Sequence, residues 1–261
     1  MICFAKDALA VEIYPTRTEM GTAAARDIES KIVELLDRQT QVNMIFAAAP
    51  SQNEVLDALA ASTKIDWTKI NAFHMDEYIG LPPSAPQSFG NFLRARIFDK
   101  VPFASVSYID ASASEPNKEA KRYQALLENT KMDIVVMGIG ENGHIAFNDP
   151  PVANFNDTKL VKTVQLDEVC RQQQVNDGCF ANINDVPRYA ITLTIPMLIS
   201  AKWVFCVVPA KSKANAVKNT LMGDISTRCP ATILRKKEHA KLYLDADSAA
   251  LIDDEIKTQK R

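Results

Sequence analysis

The sequence has few residues of the types that build disulfide frameworks or metal centres. Its 261 residues include five cysteines and three histidines. The cysteines are scattered and odd in number, and no two have the CxxC spacing of a zinc ligand pair. We therefore expect neither disulfides nor a metal, and reduced thiols of this kind are typical of a cytoplasmic protein.

An excess of one charge and long apolar runs are also missing. The 30 lysines and arginines nearly balance the 32 aspartates and glutamates, which gives a net charge of -2. This balance disfavours nucleic acid as the main partner. No apolar run approaches the ~20 residues of a membrane-spanning helix, and the first residues do not resemble a secretory signal. We expect a cytoplasmic protein without a membrane or nucleic acid partner.

What is present is an alternation of short apolar runs and helical patterns. Strands are predicted at residues 11–14, 44–49, 70–75, 106–109, 133–138, 190–194, 203–208 and 242–244. Helices are predicted at residues 19–38, 54–61, 87–99, 115–128 and 211–222. Repeated β-then-α units indicate an α/β fold, a single-domain doubly wound and mostly parallel sheet with helices on both faces, spanning residues 1–261. The loop-rich region 148–187 is either a lid over a site or a surface excursion.

Two segments that follow predicted strands carry candidate acid–base groups. Asp76 and Glu77 stand at a strand end, where a carboxylate can move a proton between substrate atoms; a solvated acidic turn is the alternative. In 138–149, three glycines precede His144, an imidazole that exchanges protons near neutral pH. Asp149 is close enough in sequence to orient that ring.

Three further residues are candidates for binding an anion. Ser51 lies between a strand and a helix, where free N–H groups suit a phosphate, although Ser51 and Glu54 also have the spacing of a capping box. Lys213 lies at another strand-to-helix junction and either pairs with a phosphate or is a surface lysine. Arg171 has a guanidinium suited to a bidentate phosphate or hydroxyl contact.

Together these segments resemble the glucosamine-6-phosphate deaminase family, within the broader group that includes 6-phosphogluconolactonases. The resemblance runs from about residue 11 to residue 251 and is most specific in 75–82, 138–150 and 186–192. It implies a phosphosugar pocket that needs no metal and no organic cofactor. The expected activity is aldose–ketose isomerisation with deamination of an amino-hexose 6-phosphate, most simply glucosamine 6-phosphate to fructose 6-phosphate and ammonia.

The resemblance also implies roles for matching residues. Asp76 matches the base that shuttles a proton between C2 and C1, and His144 matches the residue that opens the sugar ring. The remaining matches are Asn142 and Asp149 at the two acidic positions around the histidine, Ala48 and Ser51 in the phosphate loop, and Lys213 as the phosphate-binding lysine.

Departures from the family pattern leave alternatives open. The phosphate loop lacks the usual threonine and glycine, Asn142 replaces an acid, and 171–180 fits poorly, so a galactosamine-6-phosphate deaminase is one alternative. A 6-phosphogluconolactonase is another, although Tyr78 and Ala146 stand where those enzymes more often have arginine and serine. A non-catalytic sugar-phosphate sensor is the third. A homo-oligomer is possible, and the sequence does not fix the oligomeric state.

Overall fold

A computed structural model describes residues 1–253 of the chain. Its strands are β1 (Ile2–Lys6), β2 (Leu9–Tyr14), β3 (Val42–Phe46), β4 (Ile70–His74), β5 (Asp76–Tyr78), β6 (Ser105–Ser107), β7 (Ile134–Met137), β8 (Val161–Gln165), β9 (Tyr189–Leu193), β10 (Trp203–Val208) and β11 (Ala240–Asp245). Its α-helices are α1 (Arg17–Leu36), α2 (Asn53–Ala60), α3 (Phe89–Leu93), α4 (Pro116–Glu128), α5 (Glu168–Asn176), α6 (Ile195–Ser200) and α7 (Ala214–Met222). None of the helices in this part of the chain is long and apolar enough to cross a bilayer.

Eight strands form the main sheet in the order β1-β2-β11-β10-β7-β3-β4-β6. All neighbouring pairs are parallel except β1 and β2, which are antiparallel. Strands β4 and β6 follow β3 on one side of it in the sheet. The next strand of this sheet in the sequence, β7, lies on the other side of β3, so the order of strand addition reverses there. A ligand crevice is expected at such a reversal, outside the carboxyl ends of the strands. The predicted fold class is confirmed.

Both faces of the sheet are covered, which explains why its central strands read as continuous apolar runs. In β7, Val135 and Met137 belong to one hydrophobic cluster, whereas Ile134 and Val136 belong to a second cluster on the opposite face. All four side chains are fully buried. Successive side chains of a strand point to opposite faces, so a strand with no polar alternation must have helices on each side.

In helix α1, which helps to cover the sheet, the periodicity of the sequence determines which face is buried. Thr16 caps it by accepting a hydrogen bond from the Glu19 backbone N–H at 3.2 Å. Its buried residues include Met20, Ala24, Ile28 and Ile32, which recur every four positions and therefore share one face.

Several predicted elements are corrected by the structure. The segment predicted at 190–194 is β9, which lies in a separate antiparallel sheet of order β5-β9-β8 rather than in the parallel sheet. The helix predicted over 87–99 is α3 followed by a π-helical turn, Arg94–Phe98. Ser51 and Glu54 do not form a capping box: Gln52 is the N-cap of α2 and has no side-chain cap, and Glu54 pairs with Arg17 at 2.6 Å.

The region 148–187 contains more regular structure than its sequence pattern indicates. Strand β8 and helix α5 both lie within it. Strand β8 pairs with β9, and α5 contributes Gln173 and Gln174 to the wall of a cavity. A lid function for this region stays a prediction.

The two sheets meet at a buried histidine. The chain passes from β4 into β5 at Met75, and His74 at the end of β4 is completely buried. Its Nδ1 donates to the Asp76 carbonyl at 2.9 Å, and its Nε2 accepts from the Ile109 backbone N–H at 2.9 Å. These partners fix a neutral ring with the proton on Nδ1.

We expect His74 to make the fold acid-sensitive. Burial lowers the pKa of His74 from 6.5 to about 4, against the opposing hydrogen bond to Asp76. The unfolded chain therefore binds a proton at His74 below pH 6.5, while the folded chain resists it until about pH 4. Stability should fall across this window by about 3 kcal/mol from this group alone.

Chemical denaturation at a series of pH values measures the effect. His74→Gln should be less stable at pH 7, and its deficit relative to the natural protein should shrink by about 3 kcal/mol at pH 4. A deficit that does not change with pH would contradict the assignment.

Candidate active site

Four loops at the carboxyl ends of β3, β4, β7 and β10 converge on one cavity. Helix α5 contributes Gln173 and Gln174 to the wall of this cavity. Of the residues predicted from the sequence, the cavity is lined by Ala48, Ser51, Asp76, His144 and Lys213. Its volume is about 70 Å³, which is small beside the roughly 300–1,000 Å³ of common ligand pockets.

His144 is fixed by its neighbours so that one ring nitrogen is left for the cavity. Its Nδ1 lies 2.8 Å from Asn142 Oδ1 and 2.9 Å from Asp149 Oδ1. Asn142 Nδ2 donates to the same Asp149 oxygen at 2.9 Å. Two acceptors on Nδ1 hold the proton there, so Nε2 is the nitrogen available to a ligand.

Gly140, four residues before this histidine, is required by packing. A Cβ atom on Gly140 would lie 2.1 Å from Cε1 of His144, so any larger residue would displace the ring. The backbone N–H of Gly140 also donates to the His144 carbonyl at 2.9 Å. The glycine-rich pattern thus serves the placement of the imidazole.

Asp149 is the charged partner of the histidine. It is 1% exposed, and burial acts to raise its pKa. The interactions with His144 and Asn142 outweigh that effect and hold the pKa of Asp149 below its usual value. An ionised carboxylate therefore lies against the ring and stabilises its protonated form when a proton arrives.

Asp76 has the opposite environment. It is 6% exposed, and its carboxylate receives no hydrogen bond from any residue in 1–253. Burial, with smaller contributions from the charges of Glu77 and Asp149, raises the pKa of Asp76 well above its usual value. A carboxylate that is neither solvated nor paired binds a proton readily, as a catalytic base must.

The adjacent Glu77 is a structural residue. Its carboxylate accepts the backbone N–H groups of Tyr78, Phe89 and Gly90 at 2.9, 3.0 and 2.8 Å. Burial nevertheless raises the pKa of Glu77 to about 7. It ties β5 to the start of α3 and so fixes the strand that carries Asp76.

The far end of the cavity contains an unpaired cation. Lys213 is 4% exposed, and its Nζ has no hydrogen-bond partner among the described residues. Burial lowers the pKa of Lys213, and the charges of Asp177 and Glu141 oppose that shift only in part. A buried ammonium without a counter-ion is costly, and an anionic ligand group is the natural compensation.

Other residues at this end were not found from the sequence. Gln52 is fully buried with Oε1 unpaired, and its Nε2 donates to the Val207 carbonyl at 3.2 Å. From α5, Gln173, Gln174 and Asp177 also line the cavity. The only sequence signal for them was the polar run that follows Arg171, which no local period interprets.

Arg171 does not join the predicted anion-binding group. Its guanidinium donates to the carbonyls of Val186 at 3.0 Å and Ile183 at 2.5 Å, and it faces a different cavity. In this structure Arg171 therefore braces the chain that leads into β9, and its contact with a phosphate stays a prediction.

Strand β9 supports both candidate acid–base segments. Thr192 pairs with Asp76 in the β5–β9 register, and its Oγ1 accepts the Phe147 N–H at 3.1 Å. The carboxamide of Asn148 donates to the Leu193 carbonyl at 2.8 Å. Two neighbouring residues of one strand thus hold the loop with His144 and the strand with Asp76.

Comparisons with known proteins agree with this geometry. The model of the family described as glucosamine-6-phosphate isomerases/6-phosphogluconolactonase matches residues 15–244. A glucosamine-6-phosphate deaminase of Bacillus cereus is 34% identical over 250 residues, which are 95% of this chain and 91% of that protein. One of Exiguobacterium sibiricum is 36% identical over 202 residues, 76% of this chain and 77% of its own.

Solved structures show the same fold. A monomeric glucosamine-6-phosphate deaminase has a TM-score of 0.85 at 28% identity and covers 92% of this chain and 99% of its own. A 6-phosphogluconolactonase of Thermotoga maritima has a TM-score of 0.75 at 20% identity and covers 91% and 99% of the two chains. The second likeness, at that identity, concerns the fold alone.

Proposed function

Because the chain belongs to the family of glucosamine-6-phosphate isomerases and 6-phosphogluconolactonases, we propose that it converts glucosamine 6-phosphate and water to fructose 6-phosphate and ammonia. The deaminases similar to it over most of its length support this reaction. The observation that carries the proposal is one cavity lined by an unpaired carboxylate, an oriented imidazole and an unpaired buried ammonium. We assign this activity to the cytoplasm, in keeping with the reduced-thiol pattern of the sequence.

In the first step, His144 opens the sugar ring. Nε2 faces the cavity, because Nδ1 is occupied by Asn142 and Asp149. It exchanges a proton between the C1 hydroxyl and the ring oxygen of the pyranose. The ionised Asp149 stabilises the imidazolium that forms while the proton is held.

In the second step, Asp76 moves a proton from C2 to C1. The unsolvated carboxylate takes the C2 proton of the open aldehyde, and its raised pKa favours the protonated intermediate state. The C1 oxygen gains a proton as the amino nitrogen loses one, and return of the C2 proton to C1 leaves a hydroxymethyl group at C1 and an imine at C2. Water hydrolyses this imine to the ketone, and the nitrogen departs as ammonia.

The substrate phosphate binds at the Lys213 end of the cavity. Ser51 and Lys213 come from two different strand-to-helix junctions, and both line the cavity. Ala48 contributes only small apolar surface there, so its role is to leave room. Gln52 offers an unpaired carbonyl oxygen to a phosphate or sugar hydroxyl.

Helix α5 forms one wall of the cavity, and we expect it to shift when a sugar phosphate binds. The cavity volume of about 70 Å³ is small beside the roughly 300–1,000 Å³ of common ligand pockets. The residues that close it, Gln173, Gln174 and Asp177, all belong to α5 or its carboxyl end. This arrangement supports a lid within 148–187.

A substrate panel tests the proposal. Ammonia and ketose phosphate should appear with glucosamine 6-phosphate, faster than with galactosamine 6-phosphate, and 6-phosphogluconolactone should not be hydrolysed above its spontaneous rate. Lactone hydrolysis without ammonia release would replace the proposal with the lactonase reaction. Binding of the amino sugar phosphates without turnover would indicate a sensor.

A further inference from the structure

A compact set of metal-type ligands lies around the catalytic imidazole. His144, Asp149 and Cys170 are each buried, and one ligand atom from each lies within 4.8 Å of the other two. Imidazole nitrogen, carboxylate oxygen and thiolate sulfur are the donors that bind zinc in proteins. We propose that these three residues form an inhibitory site for a thiophilic divalent cation of the Zn²⁺ class.

The carboxylate has capacity to spare for such an ion. Asp149 Oδ1 is occupied by Asn142 and His144, at 2.9 Å each. Its Oδ2 is buried and receives no N–H or O–H donor within the described residues, but the Cys170 thiol lies within hydrogen-bonding reach of the carboxylate. A thiol is a weak donor, so a cation held by the same groups would compensate the buried charge more strongly.

The thiol completes the set. Cys170 is 1% exposed on helix α5, and burial followed by the negative charge of Asp149 raises the pKa of its thiol well above the usual value. The pair therefore carries a proton that a metal ion can displace.

Charge balance selects a divalent ion. A thiolate and a carboxylate together carry two negative charges, and the imidazole ligand is neutral. A divalent cation makes the buried cluster neutral, whereas a monovalent one leaves it charged in a site with little water. With ligand distances of about 2.0–2.3 Å, tetrahedral geometry places the donors about 3.3–3.8 Å apart. The most widely spaced donors, at up to 4.8 Å, must therefore approach by about 1–1.5 Å.

A second cavity offers the ion a route that avoids the sugar pocket. It has a volume of about 600 Å³ and is lined by Asp149 itself. Asp167 and Glu168 line it as well, and they favour cation entry, whereas Arg171 and Arg188 oppose it.

Occupancy would stop the proposed ring opening, and this step rests on the proposed function. The metal bonds to the His144 Nδ1 lone pair, so the imidazole proton moves to Nε2, and the Cys170 thiol releases its proton to water. Nε2–H then faces the cavity and cannot accept a proton.

Direct metal binding tests the site without any turnover. Cd²⁺ is titrated into the full chain while the ultraviolet thiolate-to-metal band is recorded, with the exposed Cys3 replaced by serine in every protein. We expect one tight equivalent, weakened about 10-fold or more by Cys170→Ser. Asp149→Asn should weaken it too, which keeps the test valid if Cys170→Ser folds poorly. Cys179→Ser, a partly buried cysteine nearby in sequence, is the matched control and should bind like the parent.

Zn²⁺ inhibition of ammonia release is measured on the same proteins. Cys170→Ser should need about 10-fold more Zn²⁺ for half-inhibition than Cys179→Ser. A Cd²⁺ band or a Zn²⁺ sensitivity that survives Cys170→Ser unchanged would overturn the inference. If no protein releases ammonia but the band depends on Cys170, the metal site stands and the proposed function fails.

Discussion

Asp76→Asn should lower kcat by about 100-fold or more and leave the fold intact. The amide keeps the shape of the carboxylate but cannot accept the C2 proton. The raised pKa of Asp76, caused first by burial, also means that the charged form destabilises the folded chain. The variant should therefore be at least as stable as the natural protein, which separates loss of the base from loss of structure.

The measurement combines ammonia release with denaturant unfolding. A matched control is Asp133→Asn, because Asp133 is similarly buried at 6% exposed but accepts the Asn43 N–H at 2.9 Å at the amino end of β7, away from the cavity. This control should lose stability and keep its turnover per folded molecule. Near-normal turnover by Asp76→Asn on the substrate that the panel identifies would remove Asp76 from the base role.

Lys213→Met should lower kcat/KM by about 10- to 100-fold, the effect of losing one charge-assisted hydrogen bond to the substrate phosphate. Methionine keeps most of the side-chain volume and removes the charge. Because Lys213 Nζ is buried and unpaired in the absence of ligand, the same change should raise the free energy of unfolding by about 1–3 kcal/mol. The opposite signs of the two effects identify a residue kept for binding.

Lys211→Met provides the comparison, since Lys211 lies in the same helical turn, Lys211–Lys213, and is exposed. It should change neither quantity appreciably. Glucosamine without phosphate supplies a second check, because any residual turnover of it should be equal in Lys213→Met and the natural protein. An unchanged kcat/KM for the phosphorylated sugar would show that Lys213 does not meet the phosphate.

The sequence predicts those elements of the fold whose conformation is set by neighbouring residues in the chain, and it fails for those set by distant contacts. Strand β7 and the placement of His144 after it were predictable, because an apolar β-branched run followed by glycines admits few other structures. The site role of each residue stays a prediction. Strand β5 could not be recognised by pattern, since three residues form a strand only because β9 lies beside them.

The errors around α5 have a related cause. Strand β8 buries only Val161 and Val164, so its alternation is too weak to separate from a loop. For Arg171, residue type suggested an anion contact, but the docking of α5 decides which side of the helix meets the cavity. Gln173 and Gln174 take the cavity side, and Arg171 reaches backbone carbonyls instead.

The anchoring of both acid–base segments on Thr192 and Leu193 separates chemistry from selectivity. Helix α5 is less independent, because Gln173 Oε1 accepts the Glu141 N–H at 2.8 Å in the loop that carries His144. The departures from the family pattern in 48–53 lie in the loop after β3, which does not include either anchor. Substitutions in that loop should therefore change what the cavity recognises while the base and the imidazole keep their spacing.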